Sequence, residues 1–258
     1  MKPVKITLQT LNTLQGLTII PLGDCHLGSP EANRAYAQTQ VNRAIREPET
    51  YLVICGDIID LATKCSPGSP YEDDKPMNQI QEALDLLEPV KNKILAFVSG
   101  NHEQRLAKEA GVDLCWLLAK QLGIESRYDP FGVVLFLRIG EGTEHKGRPV
   151  PYTIYITHGK GSGRTTGSKV NKLIELASIV DCDIYIHAHS HLPAIVRQAF
   201  YRIDTTNSDC RKVDKLFVNT ASCLDYGGYG EAGQYVPCSN LYPAIYLGGR
   251  KKTYTAEV

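Results

Sequence analysis

Signals for a membrane, a secretory route or a strongly basic surface are missing from this sequence of 258 residues. Lys plus Arg equals Asp plus Glu at 28 each, so the chain as a whole lacks the positive charge typical of nucleic-acid-binding proteins, although a local basic patch is compatible with neutrality. No run approaches the ~18 apolar residues that cross a bilayer. Polar side chains interrupt the N-terminal stretch, where a signal peptide would need an unbroken apolar core. We therefore expect a soluble, cytoplasmic protein with no membrane partner.

The eight cysteines lack the spacing of a zinc site. No CxxC pair occurs, which argues against a thiolate metal centre. Cys55 and Cys182 lie inside apolar runs, where a free cysteine behaves as a small hydrophobic side chain. We expect reduced thiols packed in the core of a protein from a reducing compartment.

Short apolar runs alternate with amphipathic stretches along the chain. In the first half we predict strands at 17–23, 51–56 and 94–100, and helices at 31–47, 76–92 and 103–123. The second half is richer in strands, predicted at 131–139, 152–159, 182–188, 192–203, 215–222 and 242–249, with one helix at 168–180. This order predicts βαβ units with a parallel sheet, and a second, mixed sheet from the later strands packed on the first. Because no repeat or clear linker divides the chain, we interpret residues 1–258 as one domain.

Turn-forming residues predict where these elements are interrupted. Residues 62–76 and 224–240 are turn-rich and are expected to form loops. Gly111 is expected to break or bend the helix predicted at 103–123.

Polar segments follow five of the predicted strands. They are GDCHLG (23–28), GDIID (56–60), GNHE (100–103), THG (157–159) and AHSH (188–191). Each is a common turn sequence by itself, but in an open α/β sheet the carboxyl ends of the strands converge on one crevice. Imidazole, carboxylate and amide oxygen suit divalent ions such as Mn, Fe or Zn. Two such ions held close together can activate water and hold a phosphoryl group for in-line displacement.

These five segments, in this order, resemble the calcineurin-like metallophosphoesterase family. The family pattern runs D-x-H, G-D-x-x-D, G-N-H-D/E, a later His-Gly, and G-H-x-H, and the resemblance covers about residues 18–192. It implies an α/β fold, a four-layer α/β/β/α sandwich of two mixed sheets flanked by helices. It also implies a dinuclear metal site at the C-terminal ends of the strands and a hydrolase that cleaves phosphate esters.

The resemblance implies a role for each motif residue. Seven ligands form two groups of three around a bridging carboxylate: Asp24, His26 and His191 for one ion, Asn101, His158 and His189 for the other, and Asp57 for both. We expect two divalent ions, Mn²⁺ first, with Fe, Zn or Ni as alternatives. The nucleophile is expected to be a metal-bound hydroxide, because bound cations lower the pKa of water. His102 is implied to face the substrate, where it protonates the leaving oxygen or stabilises the phosphoryl charge.

The last motif departs from the family pattern at two positions. Ala188 replaces the family's glycine, and His187 stands where an apolar residue is usual. In an extended run His187, His189 and His191 would share one face, which leaves an extra ligand or an orienting residue open. A hydrogen-bonded histidine at a strand end is the plainer interpretation. Asp60 also matches the pattern and is expected to orient a ligand rather than bind metal.

A basic, glycine-rich segment follows the fourth motif and opens a predicted helix. In this segment, GKGSGRTTGSK (159–169), backbone amides could cradle an anion, with Lys160 and Arg164 adding charge. A flexible solvated loop is the alternative. Arg105 lies three residues after His102, where it could contact the substrate or form a surface ion pair.

The basic segment favours a nucleotide or nucleic acid as the substrate, and therefore a phosphodiesterase or nuclease. The first motif resembles the D-x-H-L-G of SbcD-type nucleases and the D-x-H-L of lipid-A pathway pyrophosphohydrolases. Neutral charge and the lack of a capping domain argue against the first, and the lack of a lipid-binding amphipathic segment argues against the second. A phosphomonoesterase and a non-catalytic metal-binding scaffold are the alternatives. Tyrosines at 226, 229, 235 and 242 could stack on bases, but packing or loop anchoring is the plainer interpretation.

Overall fold

A computed structural model describes residues 1–9, 14–63, 66, 74–143, 146–161 and 163–258 of the chain. Much of the loop predicted at 62–76, and Ser162 of the basic segment, lie outside the described residues. The described strands are, in chain order, β1 (Lys2–Leu8), β2 (Gly16–Leu22), β3 (Thr50–Ile54), β4 (Ile94–Val98), β5 (Tyr128–Asp129), β6 (Val133–Ile139), β7 (Val150–Ile156), β8 (Ile184–His187), β9 (Ala194–Asp204), β10 (Asp209–Asn219), β11 (Ala244–Gly248) and β12 (Tyr254–Glu257).

These strands form two mixed sheets of six. The first has the order β12-β11-β2-β3-β4-β5, in which β2 to β5 are parallel and β11 is antiparallel to both of its neighbours. The second has the order β1-β6-β7-β8-β10-β9, in which β7, β8 and β10 are parallel neighbours. Parallel strands need long crossovers, which the helices supply.

Six helices flank the sheets in the described part of the chain. They are α1 (Arg34–Arg46), α2 (Pro76–Leu87), α3 (Asn101–Ala110), α4 (Leu114–Gln121), α5 (Thr166–Ile174) and the short α6 (Gly228–Ala232). A 3₁₀ helix follows α2 directly at Glu88–Lys93, and another follows α5 at Glu175–Ser178. The predicted break at Gly111 is confirmed, because Gly111 ends α3 in the left-handed region and Asp113 caps α4.

Three apolar cores define four layers. Alternate residues of β2 point to opposite faces, so Ile19 belongs to the core between the sheets, with Leu135 of β6, whereas Ile20 belongs to the core under α1, with Val41. On the far side of the second sheet, Leu173 of α5 packs against the sheet's outer face. Helices, sheet, sheet and helix thus follow one another, which confirms the predicted α/β/β/α sandwich.

The order of elements in the sequence did not predict which sheet the strands at the two chain ends join. The N-terminal β1, which was not predicted, lies parallel to β6 in the second sheet. In contrast, β11 and β12 come from the C-terminal end yet complete the first sheet. The prediction that all later strands form the second sheet is therefore wrong at this end. The reason is that pairing with distant strands, rather than local pattern, selects the sheet of an edge strand.

The free thiols mostly lie where they were predicted. Among the described cysteines, five are buried in the cores: Cys25, Cys55, Cys115, Cys182 and Cys223. Cys210 is exposed and Cys238 is half-buried, so these two depart from the prediction. Within the described ranges, none of the helices combines the length and apolarity needed to traverse a bilayer.

Candidate metal centre and active site

The five polar segments meet at one edge of the sandwich. Three of them follow β2, β3 and β4, which are adjacent parallel strands of the first sheet, and two follow β7 and β8, adjacent parallel strands of the second. The segments bind to one another through their backbones: Asp24 N donates to Gly56 O at 3.0 Å within the first sheet. Across the sheets, His158 Nδ1 lies 2.8 Å from Cys55 O, and His189 N donates to Asp24 Oδ2 at 2.9 Å. The strand ends thus form one crevice.

Ligand-type atoms converge in this crevice. Three groups of side chains have nitrogen or oxygen atoms within 4.8 Å of one another: Asp24, His26 and His191; Asp57, His158 and His189; and His26, Asp57 and His102. The first two groups correspond to the two predicted metal sites. Asn101 joins the second, because its Oδ1 lies 3.0 Å from His158 Nε2. The structure therefore brings all seven predicted ligands together.

Backbone strain is concentrated on the same residues. Nine non-glycine residues have a positive φ in the described part of the chain, and five of them are predicted ligands: Asp24 (50°), His26 (48°), Asp57 (48°), His189 (65°) and His191 (51°). Such conformations cost about 1–3 kcal/mol each and persist only where the surrounding structure imposes them. This concentration points to a site whose side chains are aimed before anything binds.

Glycines at the motif starts permit this close packing. Gly56 has a φ of +83°, and a Cβ there would lie 2.4 Å from Gly100 N. A Cβ on Gly100 would lie 2.0 Å from Asp57 Oδ1. The G-D and G-N steps of the two motifs are therefore steric requirements of bringing Asp57 against the next strand end.

Two imidazoles of the second group are oriented by backbone carbonyls. With Nδ1 of His158 donating to Cys55 O, its Nε2 faces Asp57 Oδ2 at 3.2 Å. His189 Nε2 lies 2.9 Å from Gly161 O, which leaves its Nδ1 for an ion. Fixing one ring nitrogen in this way sets the tautomer and direction of a metal-binding histidine.

Buried charge in the centre is balanced by the imidazoles. Burial alone would raise the pKa of Asp57, but the positive charges of His158 and His102 hold it well below its usual value. Burial likewise opposes ionisation of Asp24, and His191 keeps the pKa of that carboxyl lowered. In return, despite burial, Asp57 raises the pKa of His158 to about 9 and Asp24 raises that of His191 to about 10.

This charge pattern fits divalent cations. Without metal, protons on buried imidazoles supply the positive charge that the buried carboxylates require. Metal ions compete with protons for the same nitrogen lone pairs, so binding them would release those protons and provide the compensating charge. His26 Nε2 and His191 Nε2 face each other at 3.3 Å, an arrangement that one shared cation would satisfy for both nitrogens. The donor set of imidazole, carboxylate and amide suits Mn, Fe, Zn or Ni and excludes none of them.

Asp60 orients His26 rather than facing the centre. Its Oδ1 accepts a hydrogen bond from His26 Nδ1 at 2.8 Å, which directs His26 Nε2 inward. We predict that Asp60→Asn weakens binding of the ion at His26 by ~10–100-fold, as is typical for partners of metal ligands. Metal titration by calorimetry measures this affinity. An unchanged affinity would show that the packing of the His26 ring alone fixes its direction.

Glu103 has a role that the sequence did not reveal. Its buried carboxylate accepts hydrogen bonds from Gly100 N (2.8 Å), Asp57 N (3.0 Å) and Ile58 N (2.7 Å). It therefore ties the start of α3 to the loop that carries Asp57. Burial and the charge of Asp57 raise the pKa of Glu103 to about 7. The sequence does offer a signal for this role: Glu103 is the third residue of a helix that begins within a motif. An acidic side chain at that position often accepts a hydrogen bond from the backbone at the helix start.

His102 and Arg105 lie together at the mouth of the crevice. His102 Nδ1 lies 2.7 Å from the Asp60 carbonyl oxygen, so that nitrogen carries a proton and Nε2 points to the site. Arg105 Nη2 donates to His102 Nε2 at 3.0 Å, since a guanidinium has no acceptor atom. Arg105 is thus placed beside the predicted substrate-facing residue, as a substrate contact requires. Lys160 is exposed, and Arg164 lies over a tyrosine ring, 4.9 Å from the centroid of Tyr235.

His187 belongs to none of the three candidate ligand groups found among the described residues. Its Nδ1 lies 2.7 Å from Asn219 Oδ1, while Asn219 Nδ2 donates to Ser190 Oγ (2.6 Å) and to the Leu192 carbonyl. Since the amide nitrogen is the donor there, His187 donates to the amide oxygen. Burial lowers the pKa of His187 to about 4, so the ring is neutral. This arrangement agrees with the plainer interpretation, a hydrogen-bonded histidine at a strand end.

We predict that His187→Ala lowers the free energy of unfolding by about 1–3 kcal/mol, because it leaves the buried Asn219 Oδ1 without its donor. Metal content should stay at the wild-type level. Urea unfolding and elemental analysis measure the two quantities, and a double-mutant cycle with Asn219→Ala isolates the pair. Loss of one metal ion in His187→Ala would identify the residue as a ligand instead.

Comparison with known proteins places the chain in a family. The family model described as calcineurin-like phosphoesterase matches residues 17–193, which include all five motif segments. No curated protein sequence matches the chain. Similar solved structures include a conserved uncharacterized protein of Streptococcus pneumoniae TIGR4 described as a predicted phosphoesterase, with 15% identity, 95% of this chain and 100% of that chain covered, and a TM-score of 0.38. The calcineurin-like phosphoesterase YfkN of Bacillus subtilis has 13% identity, with 94% of this chain and 90% of that chain covered and a TM-score of 0.43. Wild-type Vps29 of Entamoeba histolytica complexed with Zn²⁺ has 11% identity, with 93% of this chain and 97% of that chain covered and a TM-score of 0.41.

The family match coincides with the crevice in which the ligand-type side chains converge. It covers well over half of the chain, from β2 to the residues just beyond the last histidine motif. The family binds divalent metal ions, and the crevice offers matching groups of histidine and aspartate. The chain therefore belongs to the calcineurin-like phosphoesterase family and is a metal-dependent phosphoesterase.

Proposed function

We propose that the chain binds two divalent ions, Mn²⁺ first, through the seven predicted ligands, and hydrolyses phosphodiesters of nucleotides or nucleic acid. One observation carries the dinuclear part. Asp57 lies within 4.8 Å of ligand atoms from both halves of the centre: His26 on one side, His158 and His189 on the other. A carboxylate in that position can bridge two cations and keep them close.

The residues of the chain divide the work of the reaction. Bound ions would supply Lewis acidity, which activates water and offsets phosphoryl charge. Asp24 and Asp57 provide the negative charge that retains them, and Asp60 keeps His26 in position. His102 Nε2 points to the site with Nδ1 fixed by the Asp60 carbonyl. When the Arg105 guanidinium turns from His102 Nε2, to which it donates at 3.0 Å, toward the phosphoryl oxygens, His102 can hold a proton at Nε2 for the leaving oxygen. Arg105, beside it, adds positive charge where the phosphoryl oxygens arrive.

The substrate class rests on the basic segment beside the centre. Its Gly161 carbonyl lies 2.9 Å from His189 Nε2, so Lys160 and Arg164 flank a ligand at the rim of the crevice. Thr165 caps α5 by accepting from Ser168 N, and the described residues just before it, Lys160, Gly161, Gly163 and Arg164, are exposed. Positive side chains at a rim next to bound metal suit an extended polyanionic substrate.

The proposal is tested with metal-stripped protein to which Mn²⁺, Zn²⁺ or Ni²⁺ is returned. Bis-p-nitrophenyl phosphate, p-nitrophenyl phosphate, cyclic nucleotides and single-stranded DNA form the substrate panel. We expect turnover of diesters that requires metal and exceeds turnover of the monoester. Faster monoester cleavage would replace this proposal with a phosphomonoesterase. No turnover with any metal would leave a metal-binding scaffold.

A further inference from the structure

A pair of tyrosines and an arginine form an unassigned surface beside the crevice. Tyr229 lies in α6, and the chain then turns back, with Gly233 N donating to Tyr229 O at 2.8 Å. The turn brings the rings of Tyr229 and Tyr235 edge to face, with centroids 5.7 Å apart. Arg164, from the basic segment, lies 4.9 Å from the Tyr235 ring centroid. We call these three side chains the aromatic wall.

The aromatic wall is joined to the metal centre from both sides. On one side, the segment that carries Arg164 contacts His189 through the Gly161 carbonyl. On the other, the segment that carries the tyrosines begins just after Cys223, whose N donates to Asp24 O at 2.9 Å. Burial and Tyr235 raise the pKa of the Tyr229 phenol, while the positive charge of Arg105 lowers it in part. The wall is therefore tied to the centre through His189 and through Asp24.

The segment that carries both tyrosines is anchored at its two ends. At the start, Asn33 Nδ2 donates to Asp225 Oδ2 at 3.0 Å. At the end, Asn240 Nδ2 donates to the carbonyls of Ser222 (2.8 Å) and Leu224 (3.1 Å). These contacts hold the wall in place without covering it. Tyr229 is 49% exposed and Tyr235 is 43% exposed, so ring surface remains open at the rim.

We infer that the aromatic wall binds a planar aromatic group of the phosphate ester, such as a nucleobase or an aryl ring, while the phosphate lies at the metal centre. This inference rests on the proposed function. Half-open tyrosine rings next to a guanidinium are the groups on which planar rings stack, with little dependence on ring identity. Packing within the segment would explain the ring pair, but it does not require an exposed arginine from a different segment to close the surface.

The test uses the full chain loaded with Mn²⁺ and non-hydrolysable ligands, so it needs no turnover. Calorimetry gives the Kd of two matched pairs: phenylphosphonate against methylphosphonate, and the methylene phosphonate analogue of AMP against that of ribose 5-phosphate. We expect the ring-bearing member of at least one pair to bind about fivefold or more tightly than its ringless partner. A gain in the AMP pair assigns the wall to nucleobases, and a gain in the phenyl pair alone assigns it to aryl groups.

Variants separate the wall from general effects on the segment. Tyr235→Leu and Tyr229→Leu should remove the gain that the ring provides, Tyr→Phe at either position should keep it, and Tyr201→Leu, at an exposed tyrosine of β9, is the matched control. The inference is overturned if neither pair shows a gain, or if the leucine variants weaken ring-bearing and ringless ligands equally. Failure of the proposed function has a separate signature, because it is read from wild-type turnover.

Discussion

Replacing Asp57 with asparagine is expected to remove both metal ions and to reduce phosphodiester hydrolysis by more than the ~10–100-fold typical of residues that only support a ligand. The substitution keeps the size of the side chain and one oxygen that can accept from His102 N, which donates to Asp57 Oδ1 at 2.8 Å. It removes the negative charge that lies against ligands of both halves. Elemental analysis after gel filtration gives the metal content, and bis-p-nitrophenyl phosphate gives the rate.

The control for Asp57→Asn is an exposed aspartate on a helix. Asp85 lies on α2 and is exposed, and its carboxylate accepts from Gln81 Nε2 one turn earlier. Asp85→Asn should retain both ions and full activity. Circular dichroism of both variants shows whether the fold survives. Two ions per chain in folded Asp57→Asn would mean that the two ligand groups bind independently, and the bridging role would be wrong.

The ligand positions could be predicted because their signal is local. Each predicted ligand lies within a few residues of the end of an apolar strand, and the parallel order of β2, β3 and β4 brings such ends to one edge. The motif glycines belong to the same local signal. Gly100 must lack a side chain because Asp57 occupies that space. Fold and crevice therefore follow from short stretches read in sequence order.

Contacts between distant segments could not be predicted from local sequence patterns. The sheet that β1 joins is decided by its pairing with β6, more than a hundred residues away. The aromatic wall depends on Arg164 meeting Tyr235 across two segments, and no periodicity encodes that contact. The sequence located the tyrosines but favoured simple packing, since fourteen tyrosines in the chain make a chance cluster plausible. Packing and stacking on a planar ring are separated only by the positions of the half-exposed tyrosine rings in the folded structure.

The strained backbone of the centre links stability to function. His26 and Asp57 hold left-handed conformations, and Glu103 secures the loop that carries Asp57 by accepting four backbone hydrogen bonds. Strain at these positions is offset by packing in the rest of the sandwich. A bound cation then meets side chains that are already aimed, so little ordering is left to oppose binding.

Replacing His102 with alanine is expected to lower kcat by about 10²–10⁴-fold while both metal ions remain bound. His102 is held by the Asp60 carbonyl, and its Nε2 faces the mouth of the crevice beside Arg105. A side chain that gives a proton to the leaving oxygen matters most when that oxygen is a poor leaving group. The loss should therefore be large for a dinucleotide and smaller for bis-p-nitrophenyl phosphate, whose p-nitrophenolate leaves without help.

The dependence on leaving group decides between the two roles open to His102. If the residue stabilised phosphoryl charge instead, His102→Ala would slow both substrates by the same factor. His102→Gln is the companion variant, because an amide can donate a hydrogen bond but cannot transfer a proton. Recovery of activity in His102→Gln with the dinucleotide would favour charge stabilisation. Loss of metal from folded His102→Ala would instead identify the residue as a ligand. Its position in one group with His26 and Asp57 would explain that result.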